Sequence, residues 1–380
     1  MGGGLVGASL AVALAPLPLN IALIETAPFP VTQPSWDERC IGLNDTTRVI
    51  FERMGVWNAI RPEAEPITST HISERGRFGV ARFTAAEAGL DALGYNTPMR
   101  AIGGALWTRM KSAPNVQVIC PAQVSGVTVM ADAVQVSVSN GDTLTAKLVV
   151  AADGAQSALR RMHGIGSESR DYEQTAIVGA MKPERPHRGV AYERFTPDGP
   201  IAVLPRPDNT CVTIWTVPTE KSKEILAWDN ARYLGEFQSA FGNRLGRFLE
   251  TGKRGGYPLT RVMSDALTAP RTVFVGNAAQ TLHPVAAQGF NLGLRDVATL
   301  ADLLKDSRDA GAPELLAEYA SRRKQDREAT AGFTDRLVRT FSNTVPGLSG
   351  LRHLGLLALD LIPPVKNAVM RQNLGQAAGV

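Results

Sequence analysis

The chain has little cysteine. Cys40, Cys120 and Cys211 stand far apart in 380 positions with no Cys-x-x-Cys spacing. That excludes a stapled disulfide scaffold and offers no zinc framework, so no metal is expected and a reducing cytosol is the compartment indicated. Long apolar runs are also missing: no stretch reaches the ~20 residues that a membrane-spanning helix needs. The apolar stretch near the start lacks the basic lead of a signal peptide. Charge of one sign is scarce, with 40 Lys+Arg against 36 Asp+Glu for a formal +4. No basic cluster is interleaved with aromatics, so nucleic acid is not an expected partner. Repeats and low-complexity tracts are absent. What is present is apolar material, 44% of 380 residues, enough core for two lobes.

The segment from Val273 to Asp296, VFVGNAAQTLHPVAAQGFNLGLRD, stands out against that background. Val273 to Val275 reads as a short strand, and Gly276, Ala278 and Ala279 let the backbone pass close to a bulky ligand. Asn277 and Gln280 are the polar groups beside it. After His283-Pro284, the run Ala287-Gln288-Gly289-Phe290-Asn291 opens a helix with Leu294, Val297, Leu300 and Leu304 on one stripe. Free N–H groups at that helix start, with the positive end of its dipole, suit negative charge on a reduced cofactor ring. The order of elements fits a buried flavin, although an ordinary strand-loop-helix crossover has the same pattern.

The start of the chain adds to this. Gly2-Gly3-Gly4-Leu5-Val6-Gly7 matches GxGxxG and opens an apolar helix to about Ala15, ended by Pro16 and Pro18. Ile21 to Ile24 reads as a strand delivering Glu25 where an acid hydrogen-bonds a ribose. The strand that should precede the fingerprint, normally central in a parallel sheet, is missing, because Met1 directly precedes the glycines. The expectation is a sequence shortened at its start, with neighbouring strands left with unpaired backbone groups at about 1 to 3 kcal/mol each where buried.

At mid-chain, Leu148 to Gly154 ends a buried strand at Asp153-Gly154, followed by Ser157 and Arg160. Its carboxylate can meet a ligand or a mobile loop at the sheet edge, and Asp-Gly also makes plain turns. Arg39 and Arg100 precede helical stretches and are candidate pyrophosphate anchors, since a guanidinium fork matches phosphate oxygens. Glu193 and Arg194 read as a pair on the substrate-binding side, with a plain cross-strand ion pair as the equal alternative.

With GxGxxG, then Asp-Gly, then a late Gly-Asn, the chain resembles the aromatic-ring flavoprotein hydroxylases. These are single-component FAD monooxygenases of the para-hydroxybenzoate hydroxylase type, and the likeness extends over nearly the whole chain. Within them it looks most like the ubiquinone-biosynthesis hydroxylases, through Asp37-Glu38-Arg39, Tyr172-Glu173-Gln174-Thr175-Ala176 and the run from Glu193 to Pro200. The late motif departs from the broad family's GDAAH, reading Gly276-Asn277-Ala278-Ala279-Gln280. That is similar to the branch hydroxylating 2-polyprenyl-6-methoxyphenol. Asn277 keeps a hydrogen-bonding oxygen and loses the charge, and Ala287 replaces a usual glycine under the flavin.

The resemblance implies FAD as cofactor, NAD(P)H and oxygen as co-substrates, and a flavin hydroperoxide that passes oxygen to a polyprenyl phenol. The protein then has to exclude water, orient the phenol and favour charge separation. Cofactor contacts are expected at Gly2, Gly4, Gly7, Glu25, Arg39, Arg100, Asp153, Gly154, Gly276, Asn277, Gln288, Gly289 and Asn291. His283 is the candidate base toward the phenol, with shaping of the loop as its other role, and Pro284 sets rigid backbone against the flavin edge. Alternatives are another ring position, a small soluble phenol, or a non-catalytic flavoprotein subunit of a quinone-biosynthesis complex.

The fold expected is α/β: a Rossmann-like FAD-binding domain of 1–66, 100–168 and 262–330, with an inserted antiparallel-sheet substrate domain of 67–99 and 169–261. Ala176 to Met181, Ile201 to Leu204, Cys211 to Val217, and Val80 to Phe83 are its strands. A C-terminal helical segment, 331–380, carries Arg336, Arg339, Arg352, Lys366 and Arg371 beside the apolar stretch Leu351 to Ile362. Such a segment lies on an anionic membrane or partner protein, or packs on its own core. The location expected is cytoplasmic, extending to peripheral contact at the inner face of the plasma membrane.

Overall fold

The computed structural model describes residues 1–28, 39–283, 287–341, 360 and 362–376. Asp37, Glu38, Pro284, Arg352 and most of the apolar stretch beginning at Leu351 lie outside the described residues.

Helix α1, Leu5–Leu14, has the sequence LVGASLAVAL. A helix apolar all round is stable only when surrounded. Ala8, Ala11 and Val12 pack with Leu23, Ile102 and Leu106, while Leu10 and Leu14 join the core of Val134, Val136 and Val273. Strand β1, Ile21–Ile24, follows. Strand β2, Cys40–Asn44, leads into α2, Asp45–Arg53, whose start is capped by the Asn44 side chain accepting from Thr47 N. The hairpin strands are β3, Ser69–Glu74, and β4, Val80–Thr84. Helix α3, Met99–Lys111, precedes β5, Val116–Ile119, which pairs in parallel with β1.

Strand β6, Val149–Ala151, pairs in parallel not with β1 but with β12, Thr272–Phe274. Between β1 and β6 lies a slot of about 660 Å³. Among the described residues, Met1 and Gly2 together bridge it. The Met1 ammonium donates to Val150 O at 2.7 Å; Ala152 N donates to Met1 O at 2.8 Å, and Gly2 N to Ile24 O at 2.8 Å.

The larger sheet is built from β7, Ser167–Pro183, β8, Val190–Thr196, β9, Gly199–Arg206, β10, Thr210–Pro218, and β11, Phe248–Ser264. With β13, Gln280–Thr281, and the hairpin, its eight strands run β13-β11-β7-β10-β9-β8-β3-β4. All pairings are antiparallel except β8 with β3. Alternation along each strand divides the side chains between two faces. Ile177, Ile201, Val203 and Trp215 pack against Tyr233, Phe237 and Phe241 of α4, Asn230–Phe241. The opposite face carries Ile72, Glu193 and Ala202 and borders a cavity.

Helix α5, Gln288–Lys305, buries the stripe of Leu294, Val297, Leu300 and Leu304. Helix α6, Pro313–Phe341, packs beside it. The last helix, α7, Pro363–Leu374, covers the hairpin: Met370 and Leu374 join Ala81 and Phe83, and Lys366 pairs with Glu87 at 2.7 Å. This part of the C-terminal segment therefore packs on its own protein. The α/β class, the large antiparallel sheet and the helical C-terminal segment all agree with the sequence reading.

Candidate active site

The glycine run forms a tight cradle. Gly2 has φ 95, and a Cβ there would strike the Ala152 carbonyl, as one on Gly7 would strike the Gly2 carbonyl. Gly4 differs, because a Cβ there meets nothing within 4 Å. As N-cap of α1 with no side-chain cap, it leaves first-turn N–H groups open at the positive dipole end, the geometry that receives a phosphate. The Glu25 carboxylate accepts from Gly3 N and from Ala27 N at 2.8 Å. Asp153 Oδ2 accepts from Ala158 N at 2.8 Å and Leu159 N at 3.2 Å. Its Oδ1 is buried without a partner among the described residues. Gly154 beside it, at φ 85, opens on free space. Open amides, a fixed acid and a buried unsatisfied carboxylate oxygen together fit a bound dinucleotide such as FAD.

The late turn is locked from behind. Gly276 adopts φ 56 and approaches Val6 so closely that a Cβ would lie 3.0 Å from its Cγ1, and Gly276 N donates to Asp296 Oδ2 at 3.0 Å. Asn277 is exposed. Gln280, read as a polar group toward the ligand, instead turns into the protein and donates to Asp296 Oδ2 at 2.7 Å. Asp296 also accepts from Arg323 at 2.7 Å. Arg323 reaches Asp326 at 2.6 Å, and Asp326 pairs with Arg295 at 2.7 Å. Burial pushes the Asp326 pKa up, but the hydrogen bonds and charges of Arg295 and Arg323 outweigh it and hold the carboxyl below its usual range. This two-plus-two network was not legible in the sequence. Its one signal was charge, Arg295-Asp296, inside an apolar helix stripe.

Ala287, the N-cap of α5, takes the left-handed φ 49 and caps nothing with its side chain, so the first amides of that helix are also open. Gln288 is buried with Oε1 unpartnered among the described residues, and a Cβ on Gly289 meets free space. Asn291 is fully engaged. It donates to Gly42 O at 2.8 Å and Ala287 O at 2.7 Å, and accepts from Asn44 N at 3.1 Å and Thr47 Oγ1 at 2.7 Å. It ties the start of α5 to β2 and α2.

His283 is buried, with its ring edge-on to Tyr172 at 5.0 Å, and burial lowers it to about 4. Pro284 lies outside the described residues. Arg39 lies over the Tyr257 ring at 5.8 Å, and Arg100 is ion-paired with Glu63. The structure thus brings Gly2, Gly4, Gly7, Glu25, Asp153 and Gly154 together around the start of α1, and Gly276 against the same helix. Arg100 is engaged elsewhere.

A cavity of about 240 Å³ adjoins the start of α5, lined by Gly42, Ala287 and Asn291 on one side and by Ile72, Phe83 and Ala202 on the other. Its walls are largely apolar, and Glu193 lines it. Glu193 and Arg194 do not form the expected pair. As successive strand residues they face opposite ways, and the Arg194 guanidinium lies 3.8 Å from the position of a Cβ on Gly242, at the end of α4. Desolvation raises the Glu193 carboxyl from 4.5 to about 7. Strand alternation was the signal available for this, and it applies to any adjacent pair on a strand.

The phosphate cradle, the locked second turn and the apolar cavity beside a free helix start define a flavin-dependent monooxygenase. A family model described as FAD binding domain matches residues 1–334, and the chain belongs to that family. It is similar to the ubiquinone hydroxylase UbiL of Rhodospirillum rubrum, 36% identical over 99% of this chain and 88% of that protein. It is also similar to the 3-demethoxyubiquinol 3-hydroxylase of Escherichia coli, 32% identical over 99% and 97%. Among solved structures, the p-nitrophenol 4-monooxygenase PnpA of Pseudomonas putida DLL-E4 superposes with a TM-score of 0.82 over 98% of this chain and 96% of its own; at 17% identity this likeness shows the fold alone.

Proposed function

We propose that this enzyme hydroxylates the ring of a polyprenyl phenol in ubiquinone biosynthesis, with 2-polyprenyl-6-methoxyphenol as its substrate. The observation that carries the reading is the apolar cavity of about 240 Å³ placed against the start of α5, with one carboxylate, Glu193, in its wall among the described residues. Such a site suits an apolar ring with one polar function. The two ubiquinone-pathway relatives support that substrate class.

Bound FAD, reduced by NAD(P)H, supplies the electrons that activate oxygen. The chain's own residues bind and orient. The α1 amides and Gly4 would receive the pyrophosphate, Glu25 and Asp153 would receive ribose or ribityl hydroxyls, and the first amides of α5, from Gln288 and Gly289, would stabilise negative charge at the reacting end. Asn277, exposed at the Gly276 turn, would contact the cofactor from there. His283, neutral at working pH, packs edge-on against Tyr172.

Peripheral membrane contact belongs to the same proposal. Phe78, at the tip of the β3–β4 hairpin, is 97% exposed, with Arg75 and Arg77 also exposed beside it. An exposed aromatic beside two cations suits an anionic lipid surface. The test of the function is isotopic: holoenzyme with NAD(P)H, labelled dioxygen and the polyprenyl phenol should yield ring-labelled product.

A further inference from the structure

We propose that Glu193 is the proton acceptor that ionises the phenol in the cavity, and takes its place as a catalytic residue of the hydroxylation. The inference rests on the reading of this cavity as the phenol site. β8 holds Glu193 opposite Ala202 of β9 and Ile72 of β3, so the residues directly across from it on both neighbouring strands are apolar. No hydrogen bond or ion pair of its carboxylate occurs among the described residues. Glu193 is half-buried in the cavity wall, and a largely desolvated carboxylate without a partner is costly and supports no fold. Its surroundings leave it a function toward something that enters the cavity.

Among the described residues, the other polar side chains lining the cavity carry no charge: Thr70 of β3, Asn44 at the end of β2, Asn291 of α5 and Asn373 of α7. Tyr192, next along β8, packs its ring edge-on to Phe241 at 5.7 Å. Arg194, His71 and Arg244 lie toward that other face, where their mutual influence is felt at His71 and Arg194. Desolvation alone shifts Glu193, to about 7. A carboxylate near 7 accepts the proton of a phenol, ordinarily near 10, far better than one at 4.5, and matches the working pH as a general base should.

The step balances. The phenol O–H bond breaks, its electron pair stays on the phenolate oxygen, and the proton forms an O–H bond on a Glu193 carboxylate oxygen. The phenolate pushes density into the ring carbon that takes up oxygen, and the proton returns when the product phenol leaves. The proton transfer itself needs no oxidant.

The test compares wild-type, Glu193→Gln and Glu193→Asp holoenzymes, each first checked for stoichiometric FAD and unchanged circular dichroism. Infrared difference spectra on adding the polyprenyl phenol above pH 7 should show a protonated-carboxyl band in the wild type that is absent from Glu193→Gln. Phenol-dependent kcat/KM should fall about 10²- to 10⁴-fold in Glu193→Gln, mainly in kcat, and the limb of the pH profile near 7 should vanish. A fluorinated phenol, already ionised in water, should recover most of the loss, and Glu193→Asp should keep the limb at reduced rate. Wild-type turnover and pH profile in Glu193→Gln overturn the proposal, as does a wild-type spectrum with no carboxyl band when phenol binds. A wild type that neither binds nor is stimulated by phenols sinks the phenol reading itself, which separates the two failures.

Discussion

Burial moves Glu193 up to about 7 and His283 down to about 4, because a low-dielectric site penalises the charged form of each. The histidine was the obvious base in the sequence, being titratable and next to a proline in the most informative segment. Its burial could not be read there, since it depends on Tyr172 from a distant strand. A histidine lowered in the folded state binds fewer protons than its unfolded counterpart between about 4 and 6.5. Its contribution to stability is full above 6.5 and is lost as pH falls through 4. His283→Asn should therefore flatten the pH dependence of urea stability in that window by up to ~3 kcal/mol, while leaving the pH profile of turnover unchanged above pH 6. A shifted turnover profile would restore His283 as a base.

At the scale of elements, much was legible. The helix over Leu5–Leu14, the strand Ile21–Ile24, and the stripe of α5 follow from periodicity and from glycine and proline punctuation, and the structure has them in place. What holds these elements in register was hidden. Asp296 joins the Gly276 turn, Gln280 and Arg323 of α6 through bonds of 2.7 to 3.0 Å, and its partner lies 27 residues away on another helix. Such pairing has no local pattern, so Gln280 read as a ligand contact when it is part of the clamp. Removing one member of a buried ion network leaves a charge unpaired. Arg323→Met should cost about 3 to 5 kcal/mol in urea unfolding and weaken FAD retention by loosening the Gly276 turn. Loss of less than about 1 kcal/mol, the value of an exposed pair, would show that the network is not what fixes the turn.

The whole molecule joins a small parallel arrangement carrying the cradle to an eight-stranded sheet carrying the cavity. Among the described residues no helix is long and apolar enough to cross a membrane. The proposed polyprenyl substrate would be met at a lipid surface, and the exposed hairpin tip is the part of the molecule proposed to meet it. Phe78→Ser should reduce sedimentation with anionic vesicles severalfold and leave turnover of a short-chain phenol intact, with 0.5 M salt weakening the wild type further. Wild-type protein that stays off anionic vesicles at low salt would remove the peripheral role. The basic C-terminal segment had suggested the same contact, but its described helix, α7, spends Lys366 on Glu87 and Met370 on Phe83. Sequence shows which residues are basic or apolar; which of them are already engaged is a property of the assembled fold.

The central claim is that the cradle and the cavity act together as a phenol hydroxylase. Mass spectrometry of 2-polyprenyl-6-methoxyphenol after turnover by the FAD-loaded enzyme with NAD(P)H and labelled dioxygen tests it most directly. The account predicts one labelled oxygen on the product ring and NAD(P)H oxidation stimulated by the phenol. Unlabelled phenol recovered intact from FAD-loaded protein, with no stimulation across ring-substituted analogues, would contradict it.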